Sequence, residues 1–397
     1  MKSIYYSLFI LFLFTSCDGF FGVETPTDFL DEPQFDDQTV AYVPIQPVWE
    51  GFVDPVDIIP GWDELIYVAD AGTEEIISFD QAGNELGRFR VPGLGKISQD
   101  RTLDILATGR KDTVINGTPF NLPAIYRIDL NKTGDYGLEN ARIVNTIIHP
   151  FFFKSSTPTS NDEMAVFEAI APMPDNKYYV VRSGVSNSPN QFGGPDNSVL
   201  LFDADTLVTP IFVTTNLGLF RDYFKDPKSI ASVAQPPQSP AVDNRRDGGD
   251  FFFSSFSSTN ALRVQKINFN ESDFGSSYNV ANLIVGDTSR ADGFLYEANK
   301  FSQPADVTVA GDGTNYIFVV DSEKDSLYQF NGLGLEGANP PQGARSDKNI
   351  RASFGGRGQG LTQFNTPKAV AYLDQIVYVA DAGNNRILRF KLTLDFE

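Results

Sequence analysis

The sequence predicts an all-β fold. A meander of short strands near the C-terminus is echoed upstream, no segment sustains a 3.6-residue apolar period, and glycine (33) and proline (24) are plentiful. The C-terminal unit, residues 364–391, holds three apolar runs: Ala369 to Tyr372, Ile376 to Ala380 and Ile387 to Phe390. Each is strand-length, rich in β-branched and aromatic residues, and bounded by Pro, Asp, Gly or Asn. Between the second and third runs, the stretch from Asp381 to Asn385 reads as a turn. Asp and Asn side chains fold back on neighbouring N–H groups, and Gly383 is expected to supply the positive φ.

The same rhythm recurs at 55–80, as Pro55-Val-Asp-Ile-Ile59, Leu65 to Gly72 and Ile76 to Asp80. It recurs again at 304–331, as Pro304 to Val309, Tyr316 to Asp321 and Leu327 to Asn331. One such unit cannot bury its apolar faces alone, so the repetition implies stacked copies. The pattern Gly358-Gln-Gly360, Gln363-Phe364, Pro367, Val370-Ala371, Val377 to Asp381 and Gly383-Asn-Asn-Arg-Ile387 resembles the NHL repeat. That resemblance implies a six-bladed β-propeller of four-stranded antiparallel blades.

The chain in order supports that count. Lys2 followed by the apolar run Ile4 to Phe14 reads as a signal segment over 1–16, too short to span a bilayer permanently. Thr15-Ser16-Cys17 resembles the lipobox of bacterial lipoproteins, which implies lipidation at Cys17, the only cysteine. Residues 17–38 are acidic and unpatterned, as a solvated tether is. The expected location is the bacterial cell envelope, at the outer membrane, with the lipid on Cys17 as the membrane contact.

The propeller is expected over 39–397. A second blade is read from Ile97-Ser98, Leu103 to Thr108 and Ile125 to Leu130. A third comes from Phe167 to Ala171, Lys177 to Val181 and Ser198 to Asp203, and a fourth from Ser229 to Ala234, Asp250 to Ser255 and Leu262 to Ile267. The sixth blade shows three strands before the chain reaches Glu397, so residues 39–48 are expected to return as its outer strand and close the ring. Pro44 and Pro47 suit an outermost strand. Long loops at 184–197, 235–249 and 331–363 hold the remaining length.

The chemical inventory is mostly negative. His149 is the sole histidine and is expected to pack near an apolar cluster; with one His and one lipidated Cys a zinc site of the usual ligands cannot be built, and a Ser-His-Asp triad would have to use His149. The Gly355 to Gly360 run falls at an inter-blade turn, and the stretch 243–250 reads as a hairpin turn. Asp70, Asp321 and Asp381, with Arg386, read as turn caps and polar ties. Phe251 to Phe253 fits a strand buried on both faces, whereas Phe151 to Phe153, after Pro150, is expected to pack beneath a loop. A formal charge of −20 opposes nucleic-acid binding.

Propellers bind at their channel mouths, using residues at the start of each innermost strand. Here those positions are Asp57, Lys96, Glu168, Ser229, Asp306 and Lys368, with Lys228 beside them. The leading expectation is a binding or scaffolding module for an envelope protein or glycan partner. The alternative is a Ca²⁺-dependent lactonase- or lyase-like enzyme, with Asp57, Glu168 and Asp306 supplying oxygens. The lactonase-like propellers use an Asn in this zone, and none stands in the equivalent places.

Overall fold

Six sheets follow one another around a ring in the computed structural model. It describes residues 41–393 apart from 133, 191, 237–247, 273–274, 341–343 and 345. The expected signal segment, the tether with Cys17, and most of the 243–250 turn lie outside the described residues. Among the described residues no helix is long and apolar enough to cross a membrane.

The first strand, β1 (Tyr42–Trp49), belongs to the last blade. Blade 1 is β2 (Pro55–Pro60), β3 (Ile66–Asp70), β4 (Glu75–Phe79) and β5 (Glu85–Arg90), hydrogen-bonded in that order. Blade 2 is β6 (Ile97–Gln99), β7 (Ile105–Ile115), β8 (Thr118–Asp129) and β11 (Arg142–Ile148), with a small hairpin of β9 (Asn131–Lys132) and β10 (Asp135–Tyr136) inserted before its last strand. Blade 3 is β12 (Val166–Pro172), β13 (Tyr178–Ser183), β14 (Ser198–Asp203) and β15 (Thr206–Pro210).

A hairpin of β16 (Val213–Thr215) and β17 (Gly218–Phe220) then adds to the outer edge of blade 4. That blade is β18 (Pro227–Ser232), β19 (Phe251–Ser255), β20 (Val264–Ser272) and β21 (Gly275–Val280). Blade 5 is β22 (Pro304–Val309), β23 (Ile317–Asp321), β24 (Ser326–Phe330) and β25 (Phe354–Gly355). Blade 6 is β26 (Pro367–Leu373), β27 (Ile376–Asp381), β28 (Arg386–Leu392) and, returning from the start of the propeller, β1. The fold is a six-bladed β-propeller closed by its N-terminal strand, as expected. Tyr42 pairs with Leu392 and Trp49 with Ile387, so no long edge of β28 is left open.

The core is divided among the seams between blades. One cluster joins blades 6 and 1 through Trp49, Ile58, Phe79 and Tyr378, and five more occupy the remaining seams. Central strands such as β3, β19 and β23 are buried along their whole length, because each faces a neighbouring blade on both sides. Phe251 and Phe253 enter the seam between blades 3 and 4, while Phe252 enters the seam between blades 4 and 5. The triple phenylalanine is a strand buried on both faces, and its period of two serves both seams.

Asp70, Asp321 and Asp381 cap turns and also pin the chain arriving at each blade. Asp70 accepts from the N–H groups of Val53, Asp54 and Gly72. Asp321 accepts from those of Ser302, Gln303, Glu323 and Lys324. Asp381 accepts from Asn365 N and from Arg386 Nε at 2.8 Å. In the turn after Asp381, Asn385 rather than Gly383 takes the left-handed conformation, with φ 56°. Gly383 is needed for closeness instead, since a Cβ there would lie 2.5 Å from the Asn365 carbonyl oxygen. The run Phe151–Phe153 forms a 3₁₀ turn in which Phe151 is buried and Phe152 is 61% exposed, so only part of it packs.

Candidate binding site at the channel mouth

The residues singled out at the starts of the innermost strands do converge, on two levels. Five innermost strands carry a register shift in their first turn of pairing: between Pro55 and Asp57, Phe167 and Ala169, Pro227 and Ser229, Pro304 and Asp306, and Pro367 and Ala369. The residue passed over is a bulge, whose side chain is re-aimed relative to the ladder. Those residues are Val56, Glu168, Lys228, Ala305 and Lys368, and together with Lys96 of blade 2 they line one mouth of the channel. The residues one step further in, including Asp57, Ser229 and Asp306, line the channel itself.

Lys228 is therefore the true counterpart of Glu168 and Lys368, whereas Ser229 belongs with Asp57 and Asp306. The single row predicted from the sequence is two rows. The spacing Pro-x-Asp/Ser at Pro55, Pro227 and Pro304 held the signal that separates them.

The inner row is saturated with partners. Asp57 accepts from Ile97 N at 2.7 Å and from Lys96 Nζ at 3.2 Å. Asp306 accepts from Val370 N at 2.9 Å and from Ser229 Oγ at 2.5 Å. In both cases the carboxylate joins its own innermost strand to that of the next blade. Burial pushes the Asp306 carboxyl up to about 6; Lys96 opposes that rise and Asp57 adds to it. Burial also acts to lower the Lys96 ammonium, but Asp57, Asp306 and Glu168 outweigh it and hold the group above its ordinary value. The channel is narrow, about 80 Å³, with Ile59, Ala171 and Ala231 among its apolar lining.

The mouth is roomier, a cavity of about 390 Å³. Its walls include Val56, Leu94, Phe167, Phe256 and Ala305, and its charged groups are Lys96, Glu168, Lys228 and Lys368. Glu168 accepts from Ser183 Oγ at 2.5 Å and from Lys228 Nζ at 2.8 Å. Lys228 also lies 3.3 Å from Asp226 and 5.6 Å from the centre of the Phe256 ring. Burial acts against its charge, but Glu168 and Asp226 raise it. Lys368 reaches Asp54 at 2.7 Å. The sequence reading missed Asp54, Asp226 and Phe256, which lie in connecting segments outside the repeated strands.

Asp57, Glu168 and Asp306 do not form a calcium ligand set. Each is held by a lysine, a hydroxyl or a backbone N–H, and no group of three or more His, Cys, Asp or Glu side chains among the described residues is placed to hold a metal ion. His149 is fully buried, with Nε2 3.1 Å from Asp162 Oδ1 and its ring 6.1 Å from that of Phe167. Burial lowers its affinity for a proton, and it packs as a neutral side chain behind the mouth. The Gly355 to Gly360 run is an inter-blade turn, whose Gln359 and Gly360 carbonyls accept from Arg386.

No protein-family model and no curated protein matches the chain. Solved structures do. A luciferin-regenerating enzyme superposes over 88% of this chain and 95% of its own, with a TM-score of 0.51 at 9% identity. A PQQ-bound aldose sugar dehydrogenase from Streptomyces coelicolor covers 89% and 98%, with a TM-score of 0.50 at 13% identity. An auxiliary nutrient binding protein from Bacteroides thetaiotaomicron covers 90% and 74%, with a TM-score of 0.51 at 12% identity. At these identities the likeness is one of fold.

Proposed function

We propose that this chain is a lipid-anchored envelope protein whose propeller, built from NHL-like repeats, binds a protein or glycan partner at the channel mouth. The observation that carries the reading is the mouth itself. Apolar walls surround a few convergent lysines and one glutamate, above a channel whose polar groups are already paired. That is the composition of a recognition site. A row of Lys side chains offers charge-assisted hydrogen bonds, and Phe256 offers an apolar face beside them. The nutrient-binding protein among the structural neighbours has the same fold put to a binding use. The lipobox-like Thr15-Ser16-Cys17 supports anchorage through Cys17, and the location we infer is the outer membrane.

Affinity isolation of the full-length protein from mildly solubilised envelopes tests this, run beside a Lys228→Glu/Lys368→Glu double variant. The expected result is a stoichiometric protein or glycan retained by the wild type and lost by the double variant. A solitary wild-type protein, or equal retention by both, would sink the reading. The competing Ca²⁺-dependent lactonase or lyase needs metal uptake that Asp57→Ala and Glu168→Ala abolish together. The pairing of both carboxylates with lysines argues against it, and unchanged stability in chelator is the expected outcome.

A further inference from the structure

The face opposite the mouth, where the innermost strands end, carries a second and larger cleft. It lies between blades 4 and 5, measures about 720 Å³, and falls in the size range of small-ligand sites. Phe252 and Phe269 contribute its apolar wall, while Asn315, Asn331, Asn339 and Arg290 contribute polar groups.

Several details suit a hydroxylated, anionic ligand. Asn315 Oδ1 is buried without a hydrogen-bond partner among the described residues, and Asn315 holds a left-handed φ of 60°. The neighbouring residue, Gly332, has no side chain; a Cβ there would come within 2.9 Å of the Asn315 Cβ. Asn331 donates from Nδ2 to Asn339 Oδ1 at 3.3 Å, while its own Oδ1 accepts from the N–H groups of Leu333 and Leu335. Asn331 is thus fixed through both amide atoms and the Asn315 oxygen is enclosed, while Asn339 is exposed at the rim.

Among the described residues, Arg290 is the cation of the cleft with no carboxylate in contact. No carboxylate among the described residues lies within 4.0 Å of its guanidinium, although the chain carries a net charge of −20. Asp287, three residues earlier, accepts from Ser289 N and Ser289 Oγ and feels the charge of Arg290 without touching it. The other cation, Lys266, is paired with Asp250 at 2.9 Å. The backbone of Arg290 is held in place, since its carbonyl accepts from Asn349 N at 2.8 Å. An exposed guanidinium at a cleft rim, with no carboxylate of the described residues in contact, recruits an anion, most effectively a planar carboxylate.

We propose that this cleft binds a carboxylated saccharide. Arg290 would take the carboxylate, the exposed Asn339 amide would pair with a ring hydroxyl, and the half-buried Phe269 would receive the apolar face of the pyranose. The proposal concerns a separate face and does not depend on the mouth reading.

Isothermal titration of the full-length protein in detergent, with trigalacturonate and with the neutral trigalactose, tests it. Trigalacturonate should bind at millimolar concentration and the neutral sugar about tenfold more weakly or worse. Arg290→Ala should weaken trigalacturonate about tenfold, and Arg290→Lys should recover part of the loss. Arg290 is exposed, so neither substitution threatens folding. Absence of binding by either sugar, equal binding of both, or full affinity in Arg290→Ala would overturn the proposal. Loss in Lys228→Ala with full affinity in Arg290→Ala would move the saccharide to the mouth and overturn it equally.

Discussion

Asp306 should make the propeller less stable as the pH rises through 6. Its carboxyl is buried in the channel, and burial lifts it from 3.8 to about 6 against the pull of Lys96. At about 1.36 kcal/mol for each tenfold change in proton affinity, that difference corresponds to roughly 3 kcal/mol. The sign follows from which state keeps the proton. Below about 3.8 both folded and unfolded chains are protonated, and the full contribution to stability is present. Between 3.8 and 6 the unfolded chain loses its proton first, and by pH 7 the contribution is gone. Asp306→Asn keeps the shape without the titration; its loss of one of two accepted hydrogen bonds, from Ser229 and Val370, is a constant offset of about 1–3 kcal/mol. Urea unfolding of both proteins from pH 4 to pH 7 reads the effect, because titrating groups remote from Asp306 cancel in the difference and what remains belongs to Asp306 with its neighbours Asp57 and Lys96. The wild-type advantage over Asp306→Asn should shrink by roughly 2 kcal/mol across that range, part of the full difference being lost already at pH 4. Parallel curves would refute the argument that this carboxyl is held protonated by burial.

Three further outcomes test the fold. Asp321→Ala leaves four backbone N–H groups without their acceptor and should cost about 3 kcal/mol in denaturant unfolding. Removing residues 1–49 strips β1 from β28 and exposes the seam around Trp49, so light scattering should show aggregation, whereas removing residues 1–40 should leave melting unchanged and give no aggregation. Phe252→Ala should cost about 3–5 kcal/mol, and Phe256→Ala, at the half-buried mouth, about 1 kcal/mol or less, by the same unfolding measurement.

Blades 1, 5 and 6 were legible because each ends its second strand on an aspartate that pins the incoming chain, at Asp70, Asp321 and Asp381. The middle blades meet the same geometric need with other residues. Arg182 stands in that register position in blade 3, donating to the Asp196 and Pro195 carbonyls, and Ser255 stands there in blade 4. Blade 2 departs further, since β7 and β8 pair continuously out to Ile115 and Thr118. The strand rhythm survives these changes because burial between blades demands it, but the side-chain signature does not. The mouth residues were found for a related reason. Charged side chains at the start of an otherwise apolar strand stand out, but which of two adjacent residues faces the mouth depends on a bulge. Only the pairing reveals it, as the exchange of Ser229 for Lys228 shows.

The course of β1 also fixes how an anchored propeller would present its two faces. Tyr42 pairs with Leu392, where blade 6 reaches the face opposite the mouth, and Trp49 lies at the mouth end beside Ile387. Chain arriving at Ala41 therefore comes in on the face that carries the Arg290 cleft. With the lipid on Cys17, residues 17–40 supply 24 residues of spacer, an extended reach of about 80 Å. A short spacer would hold the cleft face toward the membrane and the mouth away from it, whereas the full spacer would leave both faces accessible. Deleting residues 20–35 leaves eight spacer residues, about 28 Å at most. Leu333→Cys reports the cleft face and Gln303→Cys the mouth, both at exposed positions. In vesicle-anchored protein, a bulky maleimide polymer should label the two at similar rates with the full spacer and label Leu333→Cys more slowly after the deletion. Equal slowing at both positions would mean that the propeller does not sit with its mouth outward.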